Sequence, residues 1–221
     1  MHGQGARYLE RALQSLDAQT HRDVEAIVAD HSADDALAEL CRARRQRYPL
    51  RYVRNPHGRG SSSANTNCAV RHAGGEIVKI LHQDDFFHDP QALHRIARAM
   101  AAAPGRSWGG VGCVHTDAEE SGFFGPHMPS VTPRLAVHNT FGAPSLLFVR
   151  RAAWLPCDEG LIWMMDCEHY HRLRAAFGEP ILIHEPLIAN RRWARQVTHT
   201  LATRERRDAE RRYVMEKHGL G

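Results

Sequence analysis

The sequence predicts a single α/β domain in which a mostly parallel sheet is flanked by helices, and three observations carry that expectation. Its 221 residues fit one domain of this class and leave little room for a second. Apolar residues make up 43% of the chain, enough for a sizeable core. Short apolar runs alternate with amphipathic segments through the first half, the pattern of parallel strands separated by crossover helices.

The elements follow in order. Leu9, Leu13 and Leu16 recur at helical spacing, and Gln19-Thr20 close that segment. Val24 to Ala29 is a short apolar run bounded by charge and reads as a buried parallel strand, with Asp30-His31-Ser32 as the turn after it. Ala33 to Arg47 predicts a helix and Arg51 to Val53 a second strand. Pro56 to Gly60 is a loop, after which Ser61 to Ser63 can cap a helix running to about Ala73. Gly74-Gly75 end that helix, Ile77 to Leu81 make a third strand, and a further helix spans Pro90 to Ala103. In the second half Val111 to His115 and Ser145 to Val149 read as strands. Ser121 to Asn139, rich in Gly, Pro and Ser, reads as a loop. Asp166 to Phe177 predicts a helix with Tyr170, Leu173 and Phe177 on one face, and Thr203 to His218 a charged C-terminal helix.

Charge and cysteine usage narrow the class. Twenty-nine Lys plus Arg stand against 25 Asp plus Glu, and the basic side is overwhelmingly arginine. Arginine pairs bidentately with phosphate, so the excess suits a phosphorylated small ligand or an anionic membrane face. No nucleic-acid motif or aromatic-basic stacking pattern accompanies it, which argues against a nucleic-acid partner. Cys41, Cys68, Cys113, Cys157 and Cys167 are scattered without a CxxC pair, which supports neither a disulfide framework nor a zinc knuckle and points to a reducing cytosol. Residues 1–5 hold no apolar signal core, and no apolar run approaches the roughly 18 residues needed to span a bilayer. The expectation is a cytoplasmic protein, soluble or peripheral on the inner membrane face, and not a membrane-embedded synthase.

In open α/β sheets ligands bind beyond the carboxyl ends of the strands. Asp84 and Asp85 stand there, directly after Ile77 to Leu81. Two adjacent carboxylates are a minimal site for a hard divalent ion that also takes phosphate oxygens. Their plainer reading is an Asp turn or the cap of the next helix. Asp30 repeats the strand-then-acid arrangement and either contacts a bound nucleotide or anchors its own turn. Asp166 follows the apolar run Leu161 to Met165, where partial burial can raise a carboxyl pKa, and it is otherwise an ordinary helix cap.

Together these segments resemble a family 2 glycosyltransferase. YLERALQSLDAQTHRDVEAIVADHSADDALAEL is similar to that family's opening helix, second strand and acidic turn. VRNPHGRGSSSANTNCAVRHAGGEIVKILHQDDFFHDPQAL resembles its Arg-Asn-Pro strand end, Gly-rich helix entry and metal-binding acidic motif. Further on, MMDCEHYHRLRAAFG looks like the Glu-Asp motif that carries a catalytic base, and LIHEPLIANRRWARQVTH like the segment that returns over the donor site. The sequence departs from the family at three places: the usual first strand does not precede Arg7, His82 stands where an acid is usual, and so does Met165. The first departure implies either a gene start placed late or an incomplete fold.

The resemblance implies a GT-A, Rossmann-like single domain, with residues 1–117 as the nucleotide-sugar-binding half and 118–221 as the acceptor-binding half. It implies inverting transfer from a nucleotide-diphosphate sugar to a glycan or lipid-linked hydroxyl acceptor, in polysaccharide or other glycan assembly. Asp30 would then contact the nucleotide base, Asp84 and Asp85 the diphosphate and a Mn²⁺ or Mg²⁺ ion, with Asp85 the first choice as direct ligand, and Asp166 would be the base. Arg59 and Arg191 or Arg192 are the candidates to neutralise the leaving diphosphate. Trp193 either covers a sugar or base face or simply packs. Processive members carry Gln/Arg-x-x-Arg-Trp, but Ala189 stands in the first position before Arg192-Trp193, so transfer of a single sugar is expected. The alternative is a degenerate protein that binds a nucleotide sugar without turnover.

Overall fold

A computed structural model describes residues 3–194 and 196–220. Helix α1 (Gly3–Asp17) buries Tyr8, Leu9, Ala12 and Leu13 on one stripe, as the leucine spacing requires. Strand β1 (Ala26–Asp30), helix α2 (Ala36–Ala43) and strand β2 (Leu50–Arg54) follow. Helix α3 (Ser62–Arg71) starts at Ser61, whose side chain accepts from the Ala64 N–H as an N-cap. Then come β3 (Ile77–Lys79), β4 (Phe86–Phe87), α4 (Ala92–Ala102) and the long strand β5 (Trp108–Thr116). Strand β6 (Phe123–His127), strand β7 (Leu147–Arg150), helix α5 (Met165–Phe177) and strand β8 (Ile181–Arg191) build the second half, and α6 (Val197–Thr200) and α7 (Arg204–His218) close it. Helix α7 is capped at both ends, by Thr203 at its start and by Gly219 in the left-handed region at φ 62°.

The α/β architecture is the expected one, but strand direction is more mixed than a mostly parallel sheet. β1 and β2 form a parallel pair of their own. The larger sheet runs β3-β7-β5-β8-β4, with β6 beside β5, and of its pairings only β5–β8 is parallel. A parallel neighbour needs a crossover, and no α-helix separates β5 from β6 or β7. Two further expectations are corrected. The stretch 121–139 holds strand β6, whose residues 123–126 are exposed and show no period-2 burial signal. The segment 181–191, read only as a returning chain, is a strand of the larger sheet.

The middle of that sheet around β7 is buried on both faces, and successive side chains of β7 divide between them. Leu147 and Val149 join Trp108, Phe141, Tyr170 and Leu173 under α5. Phe148 joins Val111, Cys113, Ile96 and Met100 under α4. Gly109 makes this close packing possible, because a Cβ there would lie 2.4 Å from both the Ile181 carbonyl oxygen and the Phe148 ring. Gly109→Ala is therefore expected to cost about 3 kcal/mol of stability, against within about 0.5 kcal/mol for Gly105→Ala, where nothing lies within 4 Å. Urea denaturation of the two variants measures the difference.

Candidate active site

β3 and β5 are each antiparallel to β7, and β5 is parallel to β8, so the carboxyl ends of β3, β5 and β8 share one end of the sheet. Asp84 and Asp85 follow β3 there. Asp85 is 2% exposed, and its Oδ1 accepts from the Asn190 amide at 2.9 Å and from the Arg191 N–H at 3.0 Å. Burial, reinforced by the charge of Asp84, pushes the Asp85 carboxyl up to about 7. Asp84 is more open. Its Oδ2 accepts from the Trp193 indole N–H at 3.0 Å, and its Oδ1 meets no hydrogen bond among the described residues. Beside the pair, the Lys79 ammonium donates to the carbonyls of Ile80 and Ser145. Burial lowers it to about 7 against the pull of Asp85.

The end of β8 separates the two arginines that the sequence left as alternatives. Neighbours on a strand face opposite ways. Arg191 is fully buried: Nε donates to the Asp84 carbonyl at 3.0 Å, Nη2 to Glu120 at 2.7 Å, and the guanidinium lies 4.3 Å from the Tyr8 ring centre. Arg192 is exposed, and its Nη2 reaches His115 Nε2 at 2.9 Å. The first is tied into the scaffold under the acidic pair, and the second lies exposed with one guanidinium nitrogen on His115. Trp193 stands edge-on to Tyr8 at 5.4 Å while holding Asp84, so it packs and positions at once.

Asp166 sits in the first turn of α5, partly buried, with Oδ2 accepting from the Asn139 amide at 2.7 Å. Burial outweighs its hydrogen bonds and pushes it up to about 6. The backbone before it is pinned by Glu210 of α7, whose carboxylate accepts the N–H groups of Ile162, Trp163 and Met164 at 2.8–3.1 Å. Asp30 is 3% exposed and accepts from Ser32 and from the Tyr52 hydroxyl at 2.7 Å. Burial would raise it, but these bonds win and hold it below its ordinary value. It orders the turn after β1. Arg59 lies exposed in the loop before α3, near enough for its charge to act on His31.

The start of α3 links two of these places. Asn65 donates to the Ala29 carbonyl at 2.7 Å, beside Asp30, while Ser63 donates to the Leu161 carbonyl at 3.0 Å, in the loop leading to Asp166. The segment from Asn139 to Ser145 links Asp166 to the acidic pair, because the Ser145 hydroxyl accepts from the His82 N–H at 2.9 Å. Among the described residues no three His, Cys, Asp or Glu side chains gather into a metal cage. Carboxylate oxygens alone suit Mg²⁺ or Mn²⁺, which keep room for substrate phosphates, and the open Asp84 Oδ1 fits that demand better than the enclosed Asp85.

Sequence reading missed His115, Asn190, Asn139 and Glu210. Period-2 alternation would have assigned Arg191 and Arg192 to opposite faces had β8 been seen as a strand. Nothing local marks Glu210, which acts 46 to 48 residues away from its partners.

The description Glycosyl transferase family 2 matches residues 2–134. An uncharacterised glycosyltransferase of a Nostoc species is 31% identical over 95 residues, which are 43% of this chain and 29% of that protein. Residues 1–349 of S. aureus TarS, solved with UDP-GlcNAc, superpose with a TM-score of 0.68 at 18% identity, covering 90% of this chain and 58% of that one. A mannosyltransferase from Pyrobaculum calidifontis, solved with GDP-Man and Mn²⁺, gives 0.60 at 19% identity over 84% of this chain and 53% of that one. The chain thus spans less than a third of the curated relative and somewhat over half of each solved chain, and at these identities the structural likeness is one of fold.

Proposed function

The chain belongs to glycosyl transferase family 2, and from that premise we propose that it moves one sugar from a nucleotide-diphosphate sugar to a glycan or lipid-linked hydroxyl, inverting the anomeric carbon, with Mn²⁺ or Mg²⁺ at the acidic pair. The observation that carries the reading is the half-open carboxylate pair Asp84-Asp85 at the shared carboxyl end of β3, β5 and β8. When bound, the cation offsets charge that develops on the departing diphosphate. Asp84 would hold it, and Asp85, clasped by Asn190 and Arg191, fixes the turn beneath. Arg192 and Arg59 meet the phosphates, and the turn ordered by Asp30 receives the nucleotide base. Residues 1–117 supply most of the donor half, and 118–221 the acceptor half.

A single displacement needs a base for the acceptor hydroxyl as it attacks. Asp166 suits that task, since a carboxyl at about 6 is ionised at neutral pH yet more basic than an ordinary aspartate. The reading places the protein in the cytoplasm, with peripheral attachment to an anionic membrane face when the acceptor is lipid-linked. No helix among the described residues is long and apolar enough to cross a membrane.

The test is a screen of nucleotide-diphosphate sugars in Mn²⁺ buffer with sugar and lipid-linked acceptors, following nucleoside diphosphate release. The base must be ionised, so the rate is expected to rise about tenfold per pH unit below pH 6 and to level off above it. Binding without release under every condition would instead support the degenerate reading, which His82 in an acid position favours.

A further inference from the structure

We propose that His115 is a positioning residue that aims Arg192 at the donor diphosphate, an inference that rests on the donor-site reading of Arg192 above. An exposed arginine ordinarily wanders through many rotamers, and ordering it costs entropy. Here Arg192 is held from behind. A guanidinium has only donors, so His115 Nε2, 2.9 Å from Nη2, must present its lone pair. The imidazole proton then sits on Nδ1, which faces Asn190 Oδ1 at 3.2 Å. With its oxygen committed to His115, Asn190 turns its amide nitrogen to Asp85 Oδ1 at 2.9 Å. One proton arrangement satisfies the whole chain Arg192–His115–Asn190–Asp85.

The sheet builds this alignment. β5 and β8 begin in register at Gly109↔Ile181 and keep it to Val111↔Ile183, then slip twice, between Val111 and Gly112 and between Gly112 and Cys113, and emerge as His115↔Asn190. Bulges of this kind re-aim side chains next to sites. Without the second slip His115 would stand opposite Ala189, with no amide to fix its tautomer. The ring is buried, with Phe124 of β6 at 6.1 Å. Burial and then the charge of Arg192 lower the His115 pKa, so the neutral ring that the geometry needs is the one present near neutral pH.

The experiment measures Kd for UDP and GDP in Mn²⁺ buffer by calorimetry on the full chain, with Tm recorded for each variant. The parent is expected to bind one of them, and Arg192→Ala and His115→Ala each to weaken it about tenfold. The double variant is expected to bind no more weakly than Arg192→Ala alone, because His115 acts through Arg192. His115→Gln, whose amide oxygen can still accept from Arg192, is expected to stay within about twofold of the parent, an outcome that packing alone would not give. Losses that multiply in the double variant, or a Gln variant as weak as Ala at unchanged Tm, overturn the role of His115 and leave that of Arg192 standing. No loss in Arg192→Ala overturns both. No binding of either nucleotide by the parent overturns the donor reading itself, and His115 with it.

Discussion

Asp166→Asn is expected to lower kcat by about 10³-fold while leaving nucleotide affinity within about twofold of the parent. The amide cannot take the acceptor proton, yet it keeps an oxygen to accept from Asn139 and the nearly identical shape that α5 packs around. Single-turnover kinetics and UDP or GDP calorimetry separate the two quantities. A companion shift in stability is expected. The folded state holds Asp166 at about 6 against an ordinary 3.8, so its charge costs stability above about pH 6, and that cost fades as pH falls through 6 toward 3.8. The Asn variant is thus expected to melt above the parent at about pH 7.5 and together with it near pH 4. A variant that keeps its turnover would remove Asp166 from the chemistry.

Asp84→Ala is expected to lower kcat/KM by about 10³-fold and to make UDP or GDP binding insensitive to Mn²⁺, with little change in Tm. Asp85→Ala is expected to behave differently. It removes a buried acceptor from Asn190 and the Arg191 N–H, so it loses about 2 kcal/mol of stability along with activity. Manganese titrations of nucleotide binding, paired with thermal melts, distinguish the ligand from its support. Metal-dependent binding that survives Asp84→Ala would move the cation to Asp85 or elsewhere.

Local chemistry made the first hundred residues readable. The stripe Leu9, Leu13 and Leu16, the Ser61 cap and the Gly74-Gly75 stop each act over a few residues, and α1, α3 and β3 lie where they indicate. The acid at each strand end was legible for the same reason. Direction and partnership were not. β6 has exposed side chains and no alternation to read, and the apolar pattern of β8 is broken at His184 to Pro186 before its buried run Leu187 to Ala189. The openness of Asp84 against Asp85 depends on Asn190, Arg191 and Trp193, more than a hundred residues distant, and no spacing within the acidic motif reports it.

The grip of Glu210 on three amides ahead of α5 ties helix α7 to the segment that leads into Asp166. Lys217 and His218, at the last turn of the same helix, fasten it again to the buried Glu168 of α5. A protease nick between α6 and α7 would leave Asp84, Asp85, Asp166 and Arg192 intact and yet cut the covalent tether of the helix whose Glu210 pins the segment ahead of Asp166. Affinity handles are therefore better tethered through a flexible spacer than fused rigidly to the final turn.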